Sequence, residues 1–331
     1  MKKLINAPES YVDEMLDGLT AAHPSLVRDG AAGRVIRRRV PAKGKVGIAS
    51  GGGSGHLPLF TGYVGGGLLD ACSIGNVFEG PNVDSCTEAI RLAHGGRGVL
   101  CLYGNYGGDR MNFDMACELL EMEGIATRTV LGTDDVASAA PAEAHKRRGV
   151  AGIVYAYKAA GACAERGAEL EEVARIAAKA VAATRTIGVA LASCRVPTAA
   201  RPTFTLGDDE IEMGMGIHGE PGIWRDTLKP ADAVVDEMLD RLFADRPPQR
   251  GGRVSILVNS LGATPLEELF ILYRRAAARL ADAGLSVVSP LVGPYVTSME
   301  MAGASISLCH LDEELEDLLT APADCPFWRV G

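Results

Sequence analysis

Residues 45–58 read KVGIASGGGSGHLP, in which a short apolar run passes directly into glycines and ends at a histidine. The apolar run predicts a buried strand. Glycines at the carboxyl end of a strand leave the backbone open, so its N–H groups can point at the oxygens of a ligand. Ser54 and His56, at the tip of this loop, are therefore candidate site residues. A plain glycine turn with an incidental histidine is the alternative interpretation.

The same pattern recurs along the chain, and longer amphipathic segments follow the apolar runs. This alternation of strands and helices is typical of an α/β protein. Two segments, 169–183 and 264–281, carry apolar residues at helical spacing and acidic residues near their starts. Thr264 is placed to cap the second helix, with Pro265 in its first turn. The predicted strands are Lys45–Ser50, Gly98–Tyr103, Thr127–Leu131, Ile187–Ala192 and Val254–Val258.

The chain has 331 residues, which is enough for about two domains at roughly 150 residues each. Two composition breaks interrupt it, a Pro, Ala and Arg-rich segment at 194–202 and the sequence DRPPQRGG at 245–252. The first is the better candidate for a domain boundary. Placing the division ahead of the strand that leads into it predicts an N-terminal α/β domain, residues 1–186, and a C-terminal α/β domain, residues 187–331. Each domain is expected to have a central sheet flanked by helices.

Charge and cysteine content exclude several classes of protein. Lys and Arg number 33 against 42 Asp and Glu, a formal charge of −9, so neither nucleic acid nor an anionic membrane is an expected partner. No stretch predicts a membrane span, and the first residues, interrupted by charge and Pro8, do not resemble a secretory signal. The eight cysteines show neither CxxC metal spacing nor a compact disulfide framework. We expect reduced thiols, a cytoplasmic location and no bound metal.

A second glycine loop follows the strand at 98–103, in the sequence GVLCLYGNYGGDRMNF over residues 98–113. Asp109 stands near the expected start of a helix, where an N-cap role is the alternative to a chemical one. Adjacent parallel strands end at the same edge of a sheet, so the two loops would bring His56 and Asp109 into one crevice. A base and an acid meeting there form a plausible proton-transfer pair.

A third glycine loop, EMGMGIHGEPG at 212–222, surrounds His218. Its letters satisfy GxGxxG, but Glu210 and Glu212 precede it in place of an apolar strand, and Pro221 obstructs a following helix. A dinucleotide site, and with it a nicotinamide dehydrogenase, is therefore discounted. The neutral imidazole of an exposed His218 can add to a carbonyl carbon, which makes it a candidate nucleophile, with a structural loop histidine as the alternative.

The motifs GGGSGH, GNYGGDxxNF and GxGIHGEPG occur together and in order, supported by FTL at 204–206 and VNSLGATPLEEL at 258–269. In these motifs the sequence resembles the K subunit of dihydroxyacetone kinase over essentially the whole chain. That resemblance implies two α/β domains per subunit, a homodimer, and a substrate pocket built by loops from both domains.

The resemblance also implies residue roles. His218 corresponds to the histidine that binds the ketone covalently as a hemiaminal, and His56 and Asp109 correspond to the acid and base near the hydroxyl that receives phosphate. The residues implied to bind substrate are Gly53, Ser54, Gly55, His56, Gly104, Asp109 and His218.

Three positions depart from the usual family pattern. Leu57 stands where the family typically has Glu, Gly104 where a Lys precedes Asn-Tyr, and Gly107 where Thr is common. A lost lysine removes a cation that could steady the transferring phosphate. Two side chains exchanged for glycine also leave room, so a four-carbon ketose such as erythrulose is an alternative substrate to dihydroxyacetone.

No nucleotide-binding loop is recognisable in the sequence. In the family, the nucleotide is held by a separate L subunit or by a fused domain. The resemblance therefore implies a glycerone kinase subunit of glycerol and carbohydrate metabolism that carries no cofactor itself and needs a partner with ATP or ADP and Mg, or a phosphotransferase-system subunit. The alternative is a non-catalytic ketose sensor or coactivator that keeps the covalent histidine.

Overall fold

The computed structural model describes residues 2–331, and its N-terminal sheet has six strands in the order β1-β2-β4-β3-β5-β6. Neighbours from β4 to β6 pair in parallel, whereas β1 and β2 pair antiparallel with each other and β2 pairs antiparallel with β4. The parallel strands therefore end together at one edge. The strands are β1 (Leu26–Asp29), β2 (Val35–Arg38), β3 (Lys45–Gly53), β4 (Ala71–Gly75), β5 (Gly96–Gly104) and β6 (Thr127–Gly132).

The second sheet has seven strands and is mainly antiparallel. Its main order is β11-β10-β13-β7-β8-β9, with β12 also pairing β10. Only the pairs of β10 with β11 and β12 are parallel. Its strands are β7 (Thr184–Ala192), β8 (Glu210–Met213), β9 (Trp224–Thr227), β10 (Arg253–Ser260), β11 (Ser286–Val287), β12 (Leu291–Gly293) and β13 (Ala302–Leu311). A small hairpin, β14 (Ala323–Cys325) and β15 (Trp328–Val330), follows.

Helices pack against both sheets, which confirms the α/β class. All five predicted strands and both predicted helices are present, although their ends differ by a few residues. The helices are α1 (Tyr11–Ala22), α2 (Val83–Ala93), α3 (Gly107–Met122), α4 (Ile153–Glu165), α5 (Leu170–Ala183), α6 (Ala231–Asp245), α7 (Leu266–Asp282) and α8 (Glu313–Thr320).

The start of α7 corrects one prediction. Pro265 occupies the N-cap position, and no side chain caps the helix. The Thr264 hydroxyl instead donates to the Gly303 carbonyl at 2.7 Å and accepts the Gly303 N–H at 2.8 Å. The prediction that Thr264 caps α7 is therefore wrong, because its side chain is already engaged with the neighbouring strand β13.

One large apolar core joins the two sheets. Helix α4 is buried along nearly its whole length, and its core cluster includes Ile48 of β3 and Leu257 of β10. The division between residues 186 and 187 stays a prediction. It falls inside β7, which pairs with β13 from Thr184 onward, so a division ahead of Thr184 would keep that strand whole.

Two further features concern the chain as a whole. Among residues 2–331, no helix is both long enough and apolar enough to span a bilayer. All eight cysteines are free and buried, as expected for reduced thiols.

Candidate active site

His56 lies just beyond the carboxyl end of β3 and is 1% exposed. Its Nδ1 lies 2.8 Å from the carbonyl oxygen of Thr297, so Nδ1 carries the proton and donates it. The other ring nitrogen, Nε2, is buried without a hydrogen-bond partner. Burial, followed by the neighbouring His218, lowers the pKa of His56 to about 3. The ring is therefore neutral near pH 7 and offers Nε2 as an acceptor.

Asp109 lies in the first turn of α3, which follows the carboxyl end of β5. The N-cap position belongs to Tyr106, so the alternative N-cap role for Asp109 is wrong. The carboxyl is buried, and its Oδ1 has no hydrogen-bond partner. Burial raises the pKa of Asp109 to about 6, although nearby His218 opposes that shift. A carboxyl that titrates close to neutral pH is suited to proton transfer.

Segment 76–80 contacts the side chains of both His56 and Asp109. Phe78 stacks on His56 with ring centroids 5.3 Å apart. A Cβ on Gly80 would lie 2.1 Å from Asp109 Oδ1, so the backbone of Gly80 passes directly beside the carboxyl. His56 and Asp109 thus border the same segment at the end of the parallel strands, as their positions in sequence predict.

His218 lies in the loop between β8 and β9, with a side chain 21% exposed. Its Nδ1 lies 2.8 Å from Glu220 Oε1, and its backbone N–H donates to Glu220 Oε2 at 2.9 Å. Burial opposes ionisation of Glu220, but hydrogen bonding and attraction to His218 outweigh it and lower the pKa of this carboxyl to about 2. A permanently ionised acceptor at Nδ1 fixes the tautomer that leaves the Nε2 lone pair free.

Aromatic rings surround His218. The centroid of its ring lies 4.7 Å from that of His56, 5.6 Å from Phe78 and 4.6 Å from Tyr106. The Tyr106 hydroxyl is anchored by donating to the Gly149 carbonyl at 3.0 Å. The third loop of the sequence therefore meets the first two, and the three glycine loops form one site.

The sequence interpretation missed Glu220, Phe78 and Tyr106 as members of this site. Glu220 could have been found from the HGE order, since an acid two residues after a histidine can reach its Nδ1. A Cβ on Gly216 would lie 2.1 Å from Glu220 Oε2, so this glycine leaves the room that the carboxylate occupies. No local pattern distinguishes Phe78 from a core residue.

The glycine loop after β3 differs from the expectation in one respect. The N–H of Ser54 donates to the Asn76 carbonyl at 3.0 Å, and the N–H of Gly55 to the Val77 carbonyl at 2.7 Å. Neither amide points at a ligand, so that expectation is wrong for these two groups. A Cβ on Gly53 would lie 2.5 Å from the Val77 carbonyl oxygen. The absence of a side chain at this position therefore allows the segment containing Val77 to pack directly against the loop. The polar groups that this loop leaves buried and unpaired are the Ser54 hydroxyl and Nε2 of His56.

The three positions that depart from the family pattern have different surroundings. A Cβ on Gly104 would lie 2.9 Å from the Tyr106 ring, whereas one on Gly107 would meet nothing within 4 Å. Leu57 is partly buried and lines a cavity of about 340 Å³ together with Ser54 and Thr297. A side chain at 107 would thus enter open space, whereas one at 104 would displace an aromatic ring.

Comparison with known proteins identifies the class of this fold and site. The family model described as Dak1 domain matches residues 17–327, and the chain belongs to the Dak1 family. It is 43% identical to the dihydroxyacetone-binding subunit DhaK of PTS-dependent dihydroxyacetone kinase 1 from Listeria innocua, covering 99% of this chain and 100% of that one.

Two further relatives differ in described function. The L-erythrulose 1-kinase of Mycolicibacterium smegmatis is 43% identical over 100% of this chain, which spans 58% of that protein. The solved structure of the dihydroxyacetone kinase operon co-activator Dha-DhaQ superposes with a TM-score of 0.90 at 33% identity, over 96% of this chain and 98% of that one. The fold is thus shared by proteins described as kinases and by one described as a co-activator.

Proposed function

We propose that this chain is the substrate-binding subunit of a ketose kinase of the dihydroxyacetone type. It binds dihydroxyacetone or a similar short ketose covalently on His218 and presents the terminal hydroxyl to a separate nucleotide-bearing subunit. The observation that carries the proposal is the pairing of His218 Nδ1 with Glu220. The His218 ring contacts His56 and lies close to Asp109, whose Oδ1 is buried without a partner.

In the first step, the Nε2 lone pair of His218 attacks the ketone carbon. The C–N bond forms and the C=O double bond becomes a single bond. The former carbonyl oxygen takes a proton from a water molecule, and the Nδ1 proton that the charged ring then releases converts the resulting hydroxide back to water. The ring gains positive charge as this bond forms, and the Glu220 carboxylate 2.8 Å from Nδ1 stabilises it. Holding the ketose by one covalent bond also fixes the position of its terminal hydroxyl.

In the second step, the oxygen of the terminal hydroxyl attacks the terminal phosphorus of the donor and loses its proton. The bond between that phosphorus and its donor oxygen breaks, and the remainder of the donor, ADP where the donor is ATP, stays on the partner subunit as the leaving group. Asp109 is the base of this step, because a carboxyl whose pKa is raised to about 6 is ionised at neutral pH and still basic enough to accept a proton. Neutral His56 accepts a hydrogen bond from the substrate at Nε2, which orients the hydroxyl. The Gly104 departure, in which a lysine is absent, leaves charge neutralisation of the phosphate to the partner.

An exposed apolar stripe on α3 supports the need for a partner. Met111, Met115, Leu119 and Met122 are 63%, 49%, 40% and 78% exposed. Their spacing of four, four and three residues puts them on one face of the helix that carries Asp109. A subunit docked on this stripe would lie beside the hydroxyl to be phosphorylated. We place ATP or ADP with Mg on that subunit, and we propose a homodimer of this chain, as in the family resemblance.

Carbon-13 NMR of the protein mixed with dihydroxyacetone labelled at its carbonyl carbon tests the covalent step. The ketone resonance should be replaced by that of a tetrahedral carbon, and His218→Ala should abolish the new resonance. His145→Ala is the matched control, since His145 is an exposed surface histidine. An unchanged ketone resonance at saturating protein would contradict the proposal.

A non-catalytic ketose sensor is the second candidate, favoured by the similarity to the co-activator structure. Such a protein would bind ketose on His218 equally well but transfer no phosphate. Turnover in the presence of a nucleotide-bearing partner distinguishes the two functions.

A further inference from the structure

A second cavity, of about 670 Å³, lies at the opposite end of the second sheet from His56. It is bordered by Arg253, where β10 begins, and by His310 near the end of β13. The other end of β10, at Ser260, adjoins the segment containing Thr297, which binds His56. Eight extended residues separate the two ends by about 23 Å, so the cavity is distinct from the ketose site.

Three cationic side chains and one carboxylate line this cavity, which is unexpected in a chain of net charge −9. Lys179 pairs with the lining carboxylate, Asp312, at 2.5 Å and also with Glu314, and Arg253 pairs with Glu316 at 2.8 Å. Arg246 donates to the Ala182 carbonyl at 2.8 Å. Among residues 2–331, no carboxylate lies within ion-pairing distance of Arg246.

Asp245, the acid next to Arg246 in sequence, is already paired with other arginines. Asp245 accepts from both Arg147 and Arg185, so one carboxylate serves two arginines. Arg246 is therefore the one cation lining this cavity that no carboxylate of residues 2–331 pairs with.

The titration of two groups agrees with a locally positive environment. Burial, followed by repulsion from Arg185, lowers the pKa of Arg246. Burial and then the two arginines, Arg246 and Arg185, lower the pKa of His310 to about 4. His310 is therefore neutral near pH 7 and can donate one hydrogen bond to an anion without adding charge.

We propose that this cavity binds the phosphate group of a small phosphorylated metabolite, with Arg246 as its principal contact and His310 as a second donor. A guanidinium matches two phosphate oxygens with two parallel N–H donors. The volume lies within the range of small-molecule sites and exceeds what a phosphate group alone requires. Pro247, Pro248 and Leu285 supply an apolar wall for the uncharged part of the ligand.

Isothermal titration of the full chain, in a buffer without phosphate, tests this site with two probes, inorganic phosphate and glycerol 3-phosphate. Arg246→Gln should weaken binding of the phosphate ester at least tenfold, about 1.4 kcal/mol. Arg250→Gln is the matched control, because Arg250 lies in the same loop, is exposed and does not line the cavity. Equal affinity for both probes would assign recognition to the phosphate group alone, and tighter binding of the ester would add the apolar wall. Either result supports the site.

The loss in Arg246→Gln must be separated from unfolding, because this side chain also holds the Ala182 carbonyl. His310→Gln leaves that contact intact and should also weaken the phosphate ester, while ketose binding to His218 should be unchanged in both variants. Absence of binding by the wild-type chain up to about 10 mM ligand, or binding that neither variant alters, would overturn the proposal. The second result is the one expected if the probes bind at the ketose site.

Discussion

The carboxylate of Glu220 holds His218 at two points, accepting from Nδ1 at 2.8 Å and from the backbone N–H at 2.9 Å. The ring is thereby fixed in orientation and in tautomer, with Nε2 directed away from the acid. A nucleophilic histidine needs both properties, and neither is supplied by the glycines on each side of it.

Replacing Glu220 tests that relationship. Glu220→Gln removes the negative charge that stabilises the ring as the C–N bond forms, so the dissociation constant of the ketose should rise about 10-fold to 100-fold, as for loss of a hydrogen bond to a charged group. NMR titration with labelled dihydroxyacetone measures it. Glu210→Gln, at an exposed position at the start of β8, should change the constant by less than about twofold. Equal constants for the two variants would show that the pairing is structural.

A substitution of Asp109 tests the kinase function, because only a kinase needs this carboxyl for turnover. Asp109→Asn should lower turnover by about 10²-fold to 10⁴-fold, as for loss of a general base, and should leave the hemiaminal on His218 intact. Coupled assay of ketose phosphate formation with a nucleotide-bearing partner measures the first effect, and NMR the second. Asp114→Asn, an exposed acid on the same helix, is the control. Full turnover in Asp109→Asn would show that Asp109 is not the base, whereas absence of turnover in the wild type would favour the co-activator function.

The pH dependence of turnover should report the same carboxyl. A base must be ionised to act, so kcat should rise with pH through an apparent pKa of about 6. His56, with its pKa lowered to about 3, stays neutral over this range and adds no second step. His56→Gln should therefore reduce kcat without moving the midpoint, and a shifted midpoint would assign the titration to His56 instead.

The free energy of unfolding should change with pH in the direction opposite to kcat, because protonated Asp109 stabilises the folded state. Its pKa is raised from 3.8 in the unfolded chain to about 6 in the folded one, so the folded state keeps the proton longer. The stabilising effect is complete below pH 3.8 and is lost as pH rises through about 6. Denaturant unfolding from pH 4 to 7 should show the wild type losing about 2 kcal/mol relative to Asp109→Asn. Parallel profiles would mean that the carboxyl is not desolvated.

A substitution at Gly107 tests whether this position selects the length of the ketose substrate. A Cβ there meets nothing within 4 Å, so Gly107→Thr should fold normally and narrow the space beside α3. We expect kcat/KM for erythrulose to fall about tenfold relative to that for dihydroxyacetone. Gly108→Thr, at the next exposed position with equally open surroundings, is the control. A uniform loss on both sugars would show that position 107 does not select substrate length.

A charge placed in the apolar stripe on α3 tests whether the nucleotide-bearing subunit docks there. Met115→Glu places a charge in its middle and should weaken binding of the nucleotide-bearing subunit at least tenfold, since buried apolar anchors dominate such interfaces. Surface plasmon resonance measures that affinity. Ketose binding to His218 should be unchanged, and Glu121→Gln, on another face of the same helix, should have little effect. Unaltered partner affinity in Met115→Glu would place the docking surface elsewhere.

The sequence by itself determined the α/β class, the five strands, and the three glycine loops that carry His56, Asp109 and His218. Each of these is encoded within a short window, where apolar periodicity and glycine runs act through local backbone geometry. The prediction for Thr264 was wrong because the contact that engages its hydroxyl, with Gly303, lies 39 residues away in the chain.

Only the tertiary structure decided how the loops meet. His56 reaches Thr297 across 241 positions of sequence, and its ring lies against His218, in a loop that joins two strands of the other sheet. In the same packing, the backbone amides of Ser54 and Gly55 donate hydrogen bonds to carbonyls of segment 76–80. This packing also leaves Arg246 paired with a backbone carbonyl and without a carboxylate. These contacts depend on how two sheets pack around a shared core. No local pattern contains that information, because burial and pairing are properties of the folded chain as a whole.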